Sequence, residues 1–236
     1  MRSKLPHVLF FTLFFQWIYS QEKKENSSLQ FKIKYENESL IQNKKYISLS
    51  KDTLQLETFR FYVSNIKFIL NDNSVISEDN SYHLIDFEDS NTQIISIQKK
   101  SNLEIKKVVF SLGIDSTASV SGALSGDLDP TKGMYWAWQS GYINFKIEGK
   151  SSSCKTRNNG FQFHIGGYLK PNYAIRTIEL ETNNSNFEIN VDLAKLFNEI
   201  KLSEINSIMI PGSKAMDIAD IAKLLFSISE SLSNEK

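Results

Sequence analysis

The feature that most constrains this chain is an alternation of apolar and polar residues that recurs in segment after segment. In "LQFKIKYE", Leu29, Phe31, Ile33 and Tyr35 alternate with polar neighbours. Successive side chains of an extended chain point to opposite faces, so this pattern fits a strand with one buried face. "FRFYVSNIKFIL", "IKKVVFSLGI", "INFKIEG", "FQFHIGGYL", "AIRTIELET" and "FEINVDL" repeat it, and turn-forming clusters such as "NDNS", "SEDNS", "GDLDPTKG", "RNNG" and "NNSN" separate them. The expected fold is mainly β, an antiparallel β-sandwich or barrel-like domain. Two segments in the C-terminal half have a helical period instead. Asp192 caps a helix over 192–200 with Leu193, Leu196, Phe197 and Ile200 on one side, and Ser213 precedes a helix over 214–228 with a stripe of Ile218, Ile221, Leu225 and Ile228. Neither has the Lys/Arg cluster of a membrane-surface helix, so both are expected to pack on the sheet.

The amino terminus has a different character. Arg2 and Lys4 precede an apolar run from Val8 to Tyr19, and the small Ser20 is followed by polar Gln21. This is the layout of a cleaved secretory signal, and the run is short for a membrane span. The expected organisation is a signal peptide over 1–20, a leader over 21–28 and one β domain over 29–230, periplasmic, secreted or on the cell surface. The 27 basic and 27 acidic residues become 25 and 27 once Arg2 and Lys4 are removed, a net charge of −2. Such a balance gives no electrostatic footprint for nucleic acid or an anionic membrane. Cys154 is the single cysteine, so an internal disulfide is excluded. It lies in the turn-like "SSSCKTRNNG", where a buried, inert thiol is expected in preference to a metal ligand.

Few residues are available for catalysis. Beyond the leader there are two histidines, His83 and His164, and no nucleophile elbow, phosphate-binding loop or dinucleotide fingerprint. "GDLDPTKG" begins like a calcium loop at Asp127, but Gly133 falls one place late and Trp138 stands where a bidentate glutamate belongs. It reads as a turn, and the chain as a binding protein, not an enzyme. His164 is the better metal candidate: alternation sets it on the face opposite Phe161, Phe163 and Ile165, and Gly166 and Gly167 clear space beside it. His83 groups with Ile85 and Phe87, a more packed position. If "MYWAWQ" is extended, Met134, Trp136 and Trp138 share one face, as core, interface or site. Two histidines are too few for a catalytic zinc centre, but Cu(I) accepts few ligands and takes imidazole or sulfur.

"DLDPTKGMYWAWQSGYINFKIEG", followed by "FHIGG" and preceded by "FRFYVSNIKFIL" and "SYHLIDF", resembles the MbnP-like family over about residues 29–228. These exported, mainly β proteins are related to methanobactin-associated MbnP and to copper-repressible surface proteins of methane oxidisers. The resemblance implies copper as the bound ion, His164 as first imidazole ligand and His83 as second. It also implies that one of Trp136 and Trp138 is oxidised to kynurenine by a di-haem enzyme of the MauG and cytochrome c peroxidase type and joins the site, with Met134 a weaker candidate ligand. The implied role is copper acquisition, storage or delivery. The competing readings are a metal-free surface module that recognises protein or glycan through exposed aromatics, and a redox partner of a haem enzyme without metal of its own.

Overall fold

The computed structural model describes residues 24–78, 81–100, 104–139, 141–182 and 187–230. The segment expected to be a signal peptide, 1–20, and the first residues of the expected leader lie outside them. Eight strands come first: β1 (Lys24–Tyr35), β2 (Glu38–Ser39), β3 (Lys45–Ile47), β4 (Thr53–Leu70), β5 (Val75–Ser77), β6 (Tyr82–Asp86), β7 (Ile94–Lys100) and β8 (Ile105–Leu112). A long excursion follows, containing the short helix α1 (Ser116–Val120). It leads to β9 (Tyr135–Trp136), β10 (Gly141–Ser151), β11 (Gly160–Gly166), β12 (Arg176–Glu181) and β13 (Phe187–Asp192). Helix α2 (Ala194–Glu199), β14 (Ser207–Ile208), α3 (Ser213–Ala222) and β15 (Phe226–Glu230) complete the order.

The strands form two sheets, as the alternation predicts. The smaller runs β15-β13-β1-β2 with β7 also on β1, and the larger runs β12-β8-β4-β10-β11-β14. β4 is the spine of the larger sheet. Its first half pairs with β10 and its second with β8 along one edge, while β3, β6 and β5 pair along the other. The facing surfaces enclose the main core, where Phe31 meets Phe61 and Phe110 edge-on at 5.8 Å and Phe226 meets Phe110 at 5.4 Å. Helices α2 and α3 add Leu196, Phe197, Ala215 and Ile218 to this core. Each such aromatic or aliphatic side chain contributes about 1.5–3 kcal/mol by leaving water.

Four details depart from the sequence reading. The pairs β1/β13 and β11/β14 are parallel, so the domain is not purely antiparallel. Strand β1 begins at Lys24, inside the segment read as a leader. The second helix ends at Ala222, and Phe226–Glu230 is a strand that sets Ile228 opposite Ile189. The helical stripe stops at Leu225, and "FSISE" returns to period two, which satisfies the open edge of β13. A third, five-residue helix, α1, lies in the excursion after β8, capped by Asp115, whose carboxylate accepts from the Ala118 N–H at 2.9 Å.

That excursion builds a second, smaller core on the opposite face of the larger sheet, made by Tyr62, Leu84, Ile114, Ala118, Leu128, Met134, Trp136, Tyr142 and Ile143. Its hydroxyls are tied down locally. Tyr62 donates to the Asp127 carbonyl at 2.9 Å and Tyr142 to the Leu128 carbonyl at 3.0 Å. "GDLDPTKG" is a capped turn: Asp129 accepts from the Thr131 N–H, and Asp127 accepts from the Leu84 N–H and from Lys132.

Candidate metal and aromatic site

On β11, Phe163 and Ile165 are fully buried in the main core, and His164 faces away from them, as alternation requires. It is not an open, outward imidazole. Only 8% of it is exposed, because Glu148 of β10 lies diagonally across the strand pair and its Oε1 sits 2.6 Å from His164 Nε2. Lys146, directly opposite His164, reaches the same carboxylate oxygen at 3.5 Å. The His164 hydrogen bond is the first cause holding the Glu148 carboxyl below its usual range, burial opposes it, and Lys146 adds to it. Since Nε2–H donates to the carboxylate, Nδ1 is the lone-pair nitrogen of the neutral ring. A carboxylate that fixes an imidazole in this way is the usual outer partner of a metal-ligating histidine. A group whose folded value is depressed adds stability that is full above the ordinary carboxylate range and lost as pH falls through the depressed value. Glu148→Gln is therefore expected to destabilise at neutral pH and to lose that effect in acid, below the depressed carboxylate value. Denaturant titrations at the two conditions check this.

Continuing across the sheet, the register runs His164, Lys146, Arg60, Asp86. Arg60 and Lys146 are like charges in directly opposite positions, an unfavourable pairing. It is offset by Asp86, 2.8 Å from Arg60 Nε, by Glu88, 2.8 Å from Arg60 Nη2, and by Glu148 on Lys146.

His83 does not join this group. It pairs with Val63, three residues along β6 from Asp86, which turns it to the face of the main core. Three strand spacings of about 4.8 Å also separate β6 from β11. His83 is half-buried at the core margin and bonds to Glu78 at 3.0 Å. The two histidines read together from the sequence lie on opposite faces.

The tryptophans do approach His164. Gly141 and Tyr142 of β10 pair with Trp136 and Tyr135 of β9, folding the aromatic segment back over the sheet. Gly166 explains the fit: a Cβ there would lie 2.9 Å from Trp136 Cζ3 and 2.6 Å from the Tyr142 carbonyl oxygen. The indole edge thus rests on Gly166, two residues from His164 and on the same face of β11. The next glycine serves the backbone. Gly167 has φ of +135°, and a side chain there would meet the Asn172 carbonyl and Pro211. Trp136 is 5% exposed and its buried Nε1–H has no acceptor among the described residues. Trp138 does not follow Trp136 into the core: the strand ends at Trp136, the chain turns, and Trp138 is 63% exposed. The two rings still touch, with centroids 5.9 Å apart. Met134 is fully buried in the second core. Cys154 is buried in the main core with its Sγ 3.8 Å from the Leu202 carbonyl, and burial pushes its thiol up.

The sequence reading missed the neighbours of His164. Lys146 and Glu148 are the polar partners in the alternation of "INFKIEG", and only the β10/β11 register brings them to the imidazole. Met209 carries no motif. β14 pairs in parallel with β11, setting Ile208 beside Phe163, and Met209 follows the end of β14. Among the described residues no three of His, Cys, Asp and Glu cluster as a metal site, and no helix is long and apolar enough to cross a membrane.

No curated protein matches the chain. Among solved structures, MbnP from Methylosinus trichosporium shares the fold with a TM-score of 0.57 at 13% identity, covering 80% of this chain and 83% of that one. The MbnP family model matches residues 24–210, which take in both sheets' principal strands, the aromatic segment and His164, and the chain belongs to the MbnP family.

Proposed function

We propose that this chain is an exported, non-catalytic copper-binding protein that holds Cu(I) at His164 and acts in copper acquisition, storage or delivery. Trp136 is the tryptophan converted to kynurenine in this reading, by a di-haem oxidase of the MauG and cytochrome c peroxidase type. The observation that carries it is the meeting of three features on one sheet face. They are an imidazole oriented by Glu148, a glycine that admits an indole edge two residues away, and an indole whose buried N–H has no acceptor. The donor chemistry suits Cu(I), which accepts few ligands including imidazole and sulfur, better than zinc, which takes four. Kynurenine would contribute an aniline nitrogen and a ketone where the indole offers no metal-binding atom. Trp138, exposed and in ring contact with Trp136, is the entry point for long-range removal of electrons.

The test is peptide mass spectrometry of residues 133–146, with copper analysis, on protein made alongside a matching di-haem oxidase. The expected result is oxidation at Trp136, abolished by Trp136→Phe and slowed but still placed there by Trp138→Phe. Copper-loaded protein with both indoles intact would remove the kynurenine step and leave His164. Protein that takes up no copper would remove the reading and favour the exposed-aromatic binding module.

A further inference from the structure

We propose that Tyr82 is a redox-active tyrosine at the end of an aromatic chain that starts at Trp138, with Asp115 taking its proton, an inference that rests on Trp138 as the point where electrons leave. The chain runs through the second core. Trp138 and Trp136 have ring centroids 5.9 Å apart, and Trp136 packs in one cluster with Tyr62 and Tyr142. The β9/β10 register sets Tyr142 opposite Tyr135, the neighbour of Trp136, and these two rings meet at 5.0 Å. Tyr142 in turn meets Tyr62 edge-on at 5.9 Å. Between β4 and β6, Tyr62 stands opposite Leu84 and Ser64 opposite Tyr82, so Tyr62 and Tyr82 are diagonal neighbours on one face. Tyr82 is half-buried and packs against this same core.

Its acceptor sets Tyr82 apart. A phenol gives up an electron readily when its O–H proton can leave too, because the phenol radical cation is strongly acidic. Tyr62 and Tyr142 donate to carbonyl oxygens, which do not keep a proton near neutral pH. Tyr82 donates instead to Asp115 Oδ2 at 2.6 Å, a carboxylate within direct proton-transfer reach. The second Asp115 oxygen accepts from the Ala118 N–H at 2.9 Å, which fixes the carboxylate against the phenol. Burial first, and then the Asp115 hydrogen bond, push the Tyr82 phenol up to about 12, so it holds its proton until it is oxidised. A one-electron oxidant, a haem enzyme in the reading above and ruthenium(III) in the test, takes one electron from Trp138. One electron from Tyr82 then restores the indole. The Tyr82 O–H bond breaks and its proton goes to Asp115 Oδ2, leaving a neutral tyrosyl radical and a carboxylic acid. Tyr82 thereby draws oxidising equivalents away from Trp136.

The experiment uses the copper-free full chain, oxidised by flash-generated tris-bipyridine ruthenium(III) and frozen for electron paramagnetic resonance. Tyr82→Phe removes the phenol, and Asp115→Asn removes the proton acceptor while keeping a good helix cap. Circular dichroism verifies that both variants fold. The expected result is a tyrosyl radical in the parent that is lost in Tyr82→Phe, where an indole radical persists, and lost in Asp115→Asn. Trp138→Phe should lower its yield. No tyrosyl radical in the parent, or an undiminished one in Tyr82→Phe, would overturn the proposal, and an undiminished one in Asp115→Asn would overturn the role of Asp115. Failure of a di-haem oxidase to convert Trp136 would remove the kynurenine reading and leave the radical result standing.

Discussion

Truncating Trp136 to alanine is expected to lower stability by about 3–5 kcal/mol, the range for deleting a large aromatic from a core. The loss should fall at the lower end, because the buried Nε1–H is already without an acceptor and its removal relieves a cost. Adding a methyl in Gly166→Ala should cost about 1–3 kcal/mol by overpacking, since its Cβ would press on both the Trp136 ring and the Tyr142 carbonyl. The two changes should not add. With the indole gone the methyl has part of the vacated space, so the double variant should be less destabilised than the sum of the singles, by about 0.5–3 kcal/mol of coupling. Denaturant unfolding of the three variants measures this. Strict additivity would mean that the indole does not rest on Gly166.

The alternation made the strands legible because each has one face in a core, and the glycine pair announced a close approach that proves to be an indole and a carbonyl. What could not be read was which strands become neighbours. His83 and His164 both looked available, but β6 and β11 lie on different sides of β4, and the odd offset between His83 and Asp86 turns the two imidazoles to opposite faces. Lys146 and Glu148 were visible only as polar residues in a strand until the register with β11 joined them to His164. Trp138 was grouped with Trp136 on the assumption of an extended chain. Its backbone turns instead, leaving one indole buried and the other in solvent. The strand Phe226–Glu230 was hidden because Ile228 also satisfies a helical stripe, and only the open edge of β13 decides between the two.

The largest effect on function is expected from His164→Ala, with a moderate cost in stability, because the imidazole is buried and bonded to Glu148. Glu148 loses its hydrogen bond but keeps Lys146 nearby and remains partly solvated. A loss of about 1.5–3 kcal/mol is the ordinary worth of a hydrogen bond to a charged group. Copper binding should respond quite differently, since the variant removes the one imidazole that the described residues place on this face and leaves the Trp136 region in place. His83→Ala should leave copper binding unchanged, because His83 lies on the other face at the core margin. The most direct test is a chelator-competition titration of Cu(I) into the parent chain and these two variants, with folding verified by circular dichroism. The account predicts one tight Cu(I) equivalent in the parent and in His83→Ala, and its loss in folded His164→Ala. Retention of parental affinity in His164→Ala would contradict it.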